Sequence, residues 1–197
     1  MPFLSLKLIY FIRFMKIIPS RKLWLLLPLL VLSLGSCKKI LDLLTFQISD
    51  STSFQIPATG LVAGTLLTLP GITVPSSSSD TFKANNTSAD YVQDVTLDKL
   101  SLTVTDPAGQ NFDFLKSVSI YIASDANGTN KTLLASLNPV PTGQTTINLT
   151  PSGNKLDVYL KGGSYTLFTT VEQAQAVRQT TTLRADSRFN VKARKPD

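Results

Sequence analysis

From residue 45 onward the chain alternates apolar and polar positions in short runs. Pro, Gly, Asn and Asp punctuate these runs roughly every ten residues, the spacing of short strands joined by turns. Over residues 45–56, Phe46 and Ile48 oppose Gln47 and Ser49, and the pattern resumes at Phe54 and Ile56, which predicts a first strand. Residues 61–74 are apolar but broken by Gly64, Pro70 and Gly71, so an irregular or edge strand is expected there. A polar loop over 76–80, a short strand over 81–84 and one helical turn capped by Asn85-Asn86-Thr87-Ser88 and running to Tyr91 follow.

The strongest strand comes next. Val95 and Leu97 share one parity, Leu100, Leu102 and Val104 the other, and the slip at Asp98-Lys99 predicts a β-bulge. Asp106-Pro107-Ala108-Gly109 has type I turn chemistry, and Asn127-Gly128 suits a hairpin after the alternating Val118, Ile120 and Ile122. Strands are expected at 132–136, 145–150, 165–170, 176–184 and 187–193. Residues 155–161 fit a short helix or a strand, and Gly162-Gly163 favours the helix by offering it a stop. About eight or nine strands at this spacing predict an all-β fold, an antiparallel sandwich of two sheets, with Leu102, Val104, Val118, Ile120 and Ile122 in its core.

The first 36 residues follow another pattern. Basic Arg21 and Lys22 precede an apolar core over 23–32, and small residues follow it, the three parts of an export signal. That core is short of the ~20 apolar residues a membrane crossing needs, and Pro28 interrupts it. Met15 offers an alternative start that gives a leader of ordinary length. Leu34, Gly35, Ser36 and Cys37 then resemble the lipobox of bacterial lipoproteins, with cleavage before Cys37 and lipid on its sulfur. The expected organisation is a helical signal peptide over 1–36, a lipidated tether over 37–44 and a β-sandwich over 45–197. Cys37 is the only cysteine, so no internal disulfide can form.

The charge distribution changes once the leader is set apart. Five of the nineteen basic residues and none of the thirteen acidic ones lie in 1–36, leaving a nearly neutral remainder. A chain so balanced lacks the basic face with which nucleic-acid recognition begins, so no nucleic-acid partner is expected. No histidine is present, which removes Ser-His-Asp and Cys-His machinery and the usual zinc and copper sites. A Ser-Lys pair or an aspartate pair remains open on composition alone, yet no enzyme and no cofactor is expected.

Four local patterns carry candidate chemistry. Asp90, Asp94 and Asp98 are spaced by four but straddle a predicted turn and strand start, where aspartate is a solvated turn former. Asp125 to Asn130 superficially resembles a calcium loop, but Gly128 and Ser136 stand where that loop needs other residues. Asp50-Ser51-Thr52 resembles a short bacterial O-glycosylation motif. Arg188, Asn190 and Lys192 share one face of a predicted strand opposite Phe189 and Val191, a candidate interaction face, though such a row is more often a solvated outer face that guards an edge strand. The aromatic residues are expected mainly in the core, and the one tryptophan, Trp24, leaves with the leader.

The lipobox, the Asn85-Asn86-Thr87 segment, and the run from Val95 to Ser124 with its Asp-Pro-x-Gly turn and Phe112, Phe114, Leu115, Ser117, Val118, Ile120, Tyr121 and Ile122 are similar to lipoproteins of Bacteroidota with an immunoglobulin-like sandwich. The resemblance implies a lipid-anchored protein of the cell envelope at the outer membrane. Two functional classes follow from it: a non-catalytic structural or protein-interaction module, and a surface module binding glycan or another polymer. An exposed aromatic patch would favour the second, and a charge-studded face without aromatics the first.

Overall fold

A computed structural model describes residues 43–58, 60 and 63–196, and the leader and lipobox lie outside them. Among the described residues nine strands, all paired antiparallel, form one sheet: β1 (Leu43–Ile56), β2 (Leu66–Thr68), β3 (Ile72–Pro75), β4 (Val92–Asp106), β5 (Leu115–Ala123), β6 (Thr132–Leu137), β7 (Thr146–Pro151), β8 (Ser164–Gln173) and β9 (Thr181–Arg194). Their order is β1-β9-β4-β7-β6-β5-β8-β2, with β3 also on β8. The path curls at β7, whose residues 146–149 pair with β4 and whose Thr150 and Pro151 pair with β6.

The all-β, sandwich-like form agrees with the alternation in the sequence. The immunoglobulin-like order does not. In that order the first strand lies beside the second. Here β1 pairs with β9 along all fourteen of its residues, and the chain alternates between β1-β9-β4-β7 and β6-β5-β8-β2, the connectivity of a jelly roll. The first row of that pairing is Leu43 with Arg194 and Leu44 with Ala193, so the expected tether loses its last two residues to the sheet.

Period-two burial places the core. Ile48, Phe54 and Ile56 from β1 meet Leu183, Ala185, Phe189 and Val191 from β9, and Leu102, Val118, Ile120 and Ile122 are all but inaccessible to solvent. Val104, expected among them, is only partly buried, next to the register shift that ends the β4 pairing. The slip expected at Asp98-Lys99 is present: the partner register jumps between Leu97 and Lys99 and leaves Asp98 unmatched. Tyr165 of β8 meets Phe189 of β9 edge to face, ring centroids 5.9 Å apart, which ties the two halves across the core.

Four local expectations are corrected. Residues 81–84 are not a strand but part of helix α1 (Ser78–Ala84), which Phe82 pins by its edge-to-face contact with Phe46, centroids 6.0 Å apart. Residues 176–180 form a loop, and β9 is one continuous strand rather than two. The Pro107 turn closes one residue later than expected, from the Gln110 N–H to the Pro107 carbonyl, because Gly109 alone adopts positive φ there. Positive φ in the β5–β6 connection falls on Gly128 and Asn130, not on Asn127. The helical alternative at 155–161 is realised in part, as the one-turn helix α2 (Asp157–Leu160) before Gly162.

Gly71 marks a close approach in the β2–β3 edge. A Cβ there would stand 2.7 Å from Phe168 Cε1 and 2.9 Å from Thr166 Cγ2. Phe168 is also held from outside, with Lys131 Nζ 4.6 Å from its ring centre. Gly71→Ala should therefore destabilise the domain by ~1–3 kcal/mol through overpacking. Thermal unfolding checks this, and an unchanged midpoint would show that the ring gives way freely.

Candidate functional site

The outer face of β9 is where the sequence places its candidate interaction row. Arg184, Asp186, Arg188, Asn190 and Lys192 alternate with buried Leu183, Ala185, Ser187, Phe189 and Val191, so the row does share a face. Its members are bonded to one another and to neighbouring strands. Arg188 Nε donates to Asp98 Oδ2 at 2.6 Å, and Asn190 Nδ2 to Asp98 Oδ1 at 3.3 Å. Gln47 Nε2 donates to Asn190 Oδ1 at 2.9 Å, and Lys192 Nζ stands 3.5 Å from Asp94 Oδ2. Arg184 Nε and Ser51 Oγ both donate to Asp186, at 2.9 and 2.8 Å. The result is a mixed-charge ladder rather than a basic strip. The edge-guard reading is corrected as well, because β1 covers β9 and is itself the edge.

The Arg188 hydrogen bond is the main reason that the Asp98 carboxyl titrates below the usual aspartate value, with Asn190 and the Arg188 charge acting the same way. A depressed folded-state pKa stabilises the fold above the unfolded value, ~3.9, and that contribution fades as pH falls through the folded one. An NMR titration should find the Asp98 midpoint below the ordinary range and moving back toward it in Arg188→Gln. An unmoved midpoint would break the assignment.

The remaining sequence candidates separate cleanly. Asp90 sits in the 3-10 turn Ala89–Tyr91, while Asp94 and Asp98 are on β4, so the three do not line one helix face. Asp125 spends its oxygens on its own loop, accepting from Asn127 N at 2.9 Å and from Thr129 N and Oγ1 at 3.1 and 2.7 Å. Those Thr129 bonds hold its carboxyl below the usual value. Ser152 and Lys155, not among the sequence candidates, do have the Ser-x-x-Lys spacing; Ser152 Oγ donates to the Leu133 carbonyl at 2.7 Å and accepts from Asn154 N at 3.3 Å. Leu34, Gly35, Ser36 and Cys37 lie outside the described residues.

Sequence reasoning missed a buried polar cluster. Asp50 points inward from β1 and is the one buried charged residue among those described. Its Oδ1 accepts from Ser77 N at 2.8 Å and Ser77 Oγ at 2.9 Å, which joins β1 to the start of α1, while Oδ2 is buried with no hydrogen-bond partner among the described residues. Ser187 Oγ donates to the Asp50 main-chain carbonyl at 3.2 Å and lies 3.3 Å from the Tyr165 hydroxyl. Burial first, and the Asp50 charge second, push the Tyr165 phenol far above the ordinary tyrosine range, so it stays a neutral hydroxyl. A period-two reading does place Asp50 on the inward side, and that was the available signal. The Asp50-Ser51-Thr52 motif thus has its aspartate inside the core and its Ser51 hydroxyl bonded to Asp186.

Two of the surface hollows bear on the candidate site. One, of about 270 Å³, lies at the end of the sandwich where β8 passes into β9, with Phe114 and Val177 beneath Gln110, Gln175, Arg178 and Gln179. Its loop is pinned by Ala174 N to the Phe114 carbonyl at 2.9 Å and Thr181 Oγ1 to the Gln179 carbonyl at 3.2 Å. Among the described residues the Gln175, Arg178 and Gln179 side chains have no hydrogen-bond partner, so two amides and a guanidinium are available there. The other, of about 280 Å³, is a shallow dip in the charge ladder floored by Ser49, Ser51 and Ser101 and rimmed by Lys99, Asp186 and Arg188. Tyr121 and Phe168 pair on the outer face of β5 and β8, and Lys131 Nζ covers both rings at 5.0 and 4.6 Å. They form no open aromatic platform.

No protein-family model matches the chain, and no curated protein does. Solved structures similar to it include a 60-mer BFDV capsid protein, 12% identical over 79% of this chain and 96% of that one, with a TM-score of 0.39. The infectious bursal disease virus Gt strain structure is 14% identical over 81% of this chain and 35% of its own, with a TM-score of 0.34. A cyanophage Pam1 capsid chain is 10% identical over 79% and 91%, with a TM-score of 0.32. Superpositions this loose transfer neither a site nor an activity.

Proposed function

We propose that this chain is a lipoprotein of the bacterial cell envelope, held at the outer membrane by lipid on Cys37, with a β-sandwich that works without catalysis as a structural or protein-interaction module. The observation that supports it is the ladder across β1, β9 and β4. Along its three strands this broad outer face carries Ser, Thr, Gln, Asn and paired charges and no exposed aromatic ring, which leaves a sugar nothing to stack on. The buried Asp50 cluster supplies no base to activate Ser187, since the Tyr165 phenol stays protonated and the Asp50 carboxylate bonds Ser77 instead.

A glycan-binding module is the second reading, and the hollow lined by Gln175, Arg178 and Gln179 favours it. Unengaged amides and a guanidinium over a small apolar floor suit the hydroxyls and C–H face of a sugar, and about 270 Å³ is near the lower limit of small-ligand sites. The deciding experiment cross-links the full chain in its own envelope and, in parallel, probes it with an oligosaccharide array. A partner lost on reversing Arg184 and Asp186 supports the interaction module. Oligosaccharide binding lost in Gln175→Ala with Gln179→Ala moves the function to the second class, and turnover of a glycan or peptide would overturn both.

A further inference from the structure

Four large apolar side chains are exposed among the described residues, and three of them, Leu43, Tyr91 and Val158, belong to one end of the sandwich. That end is defined by pairing. Leu43 faces Arg194 across β1 and β9, and Val92 faces Ala193 across β4 and β9, so Tyr91 stands beside the Leu43 row. Thr87 Oγ1 donates to the Arg194 carbonyl at 3.0 Å, which brings in the segment after α1. A third hollow, of about 250 Å³, joins that segment to the C-terminal side of α2 through Lys83, Thr87, Ala89, Lys161 and Gly162, so Val158 is carried to the same end. The fourth exposed apolar residue, Leu66, is in β2, opposite Glu172 at the far end of β8.

Cations accompany the three apolar residues. Lys161 and Lys195 have no acidic partner within the described residues, and Arg194 is met by the amide oxygen of Gln93 rather than by a carboxylate. Of the acids at this end, Asp80 is paired with Lys83 and Asp94 with Lys192, while Asp90 and Asp157, which accepts from Val95 N at 2.8 Å, have no cationic partner among the described residues. Exposed apolar side chains with cations in slight excess beside them are a composition that settles at the headgroup level of an anionic bilayer.

We infer that this end of the sandwich, with Leu43, Tyr91 and Val158 among Lys161, Arg194 and Lys195, rests on the membrane surface. The length of chain before it argues for that occupant. On the lipid-anchor reading, on which this inference rests, six residue steps separate Cys37 from Leu43, a reach of at most about 20 Å. β1 then runs fourteen residues away from that point, about 45 Å, so the hollow of Gln175, Arg178 and Gln179 is carried to the side facing away from the bilayer. The apolar residues enter the interface, the cations meet headgroup phosphates, and the orientation of the domain is fixed by both.

The test uses the full chain in vesicles of phosphatidylglycerol and phosphatidylcholine with a headgroup-attached quencher. Fluorophores are placed through Tyr91→Cys, Val158→Cys and, at the opposite end, Leu66→Cys. Quenching at 91 and 158 with none at 66 is expected, and reversing Arg194 and Lys195 to Glu should weaken the surface contact about fivefold per charge. Equal quenching at all three positions, or stronger quenching at 66, would overturn the inference. Intact mass read on the same sample separates the two claims: absence of lipid mass removes the anchor, and the quenching contrast is then read in the Cys37→Ser background, where the introduced thiol is the only one labelled.

Discussion

Phe189→Ala should cost ~3–5 kcal/mol, which for a domain whose whole stability is about 5–15 kcal/mol leaves a large unfolded fraction under mild denaturant. Phe189 has no solvent exposure, sits on β9 between β1 and β4, and packs edge to face on Tyr165 from the opposite half. Truncation removes the transfer energy of the ring, opens a cavity where the two halves meet, and strands one side of Tyr165, whose hydroxyl contacts Ser187. Ile120→Ala, at an equally buried site inside one half, should cost ~2–5 kcal/mol, and Val104→Ala, only partly buried, clearly less. Urea unfolding of the three variants gives the order directly. A loss under about 1 kcal/mol at Phe189 would show that the halves are not joined through this ring pair.

On the proposed lipid anchor, Cys37→Ala should abolish lipid attachment and leave the leader in place. The modification needs a thiol, and Cys37 is the only cysteine in the chain, so no other residue can substitute. Each buried methylene of an acyl chain contributes ~0.8 kcal/mol, so losing the chains removes nearly all of the membrane affinity they provide. Intact mass and detergent partitioning measure both effects: the variant should appear as a precursor without lipid mass. Normal cleavage at the same bond in the variant would mean that an ordinary signal peptidase acts there and that the thiol has no role.

The charge ladder and the buried cluster show how far side-chain roles follow from local pattern. Alternation assigned Arg188, Asn190 and Lys192 to an outer face correctly, because strand side chains alternate whatever the strand pairs with. It could not say that Asp98 and Asp94 would lie opposite them, since that needs the β4–β9 register, about ninety residues apart in sequence and shifted by bulges. Asp50 is the converse case. Its inward parity was legible, but what makes the position tolerable is Ser77, delivered by a helix that the serine-rich 76–80 segment does not announce.

What the sequence determined by itself is local: the period-two strands, the bulge at Asp98-Lys99, the Pro and Gly punctuation, and the single thiol at Cys37 with small residues before it. Each depends on residues a few positions apart, where backbone sterics and side-chain direction act directly. The tertiary structure decided the strand order, the helix over Ser78–Ala84, the ion pairing of the outer face and the gathering of Leu43, Tyr91 and Val158 at one end. Strands with one apolar face can pair in many orders with similar local energy. The β1–β9 pairing, between segments some 140 residues apart, is chosen only when the whole core closes and every apolar face finds a partner.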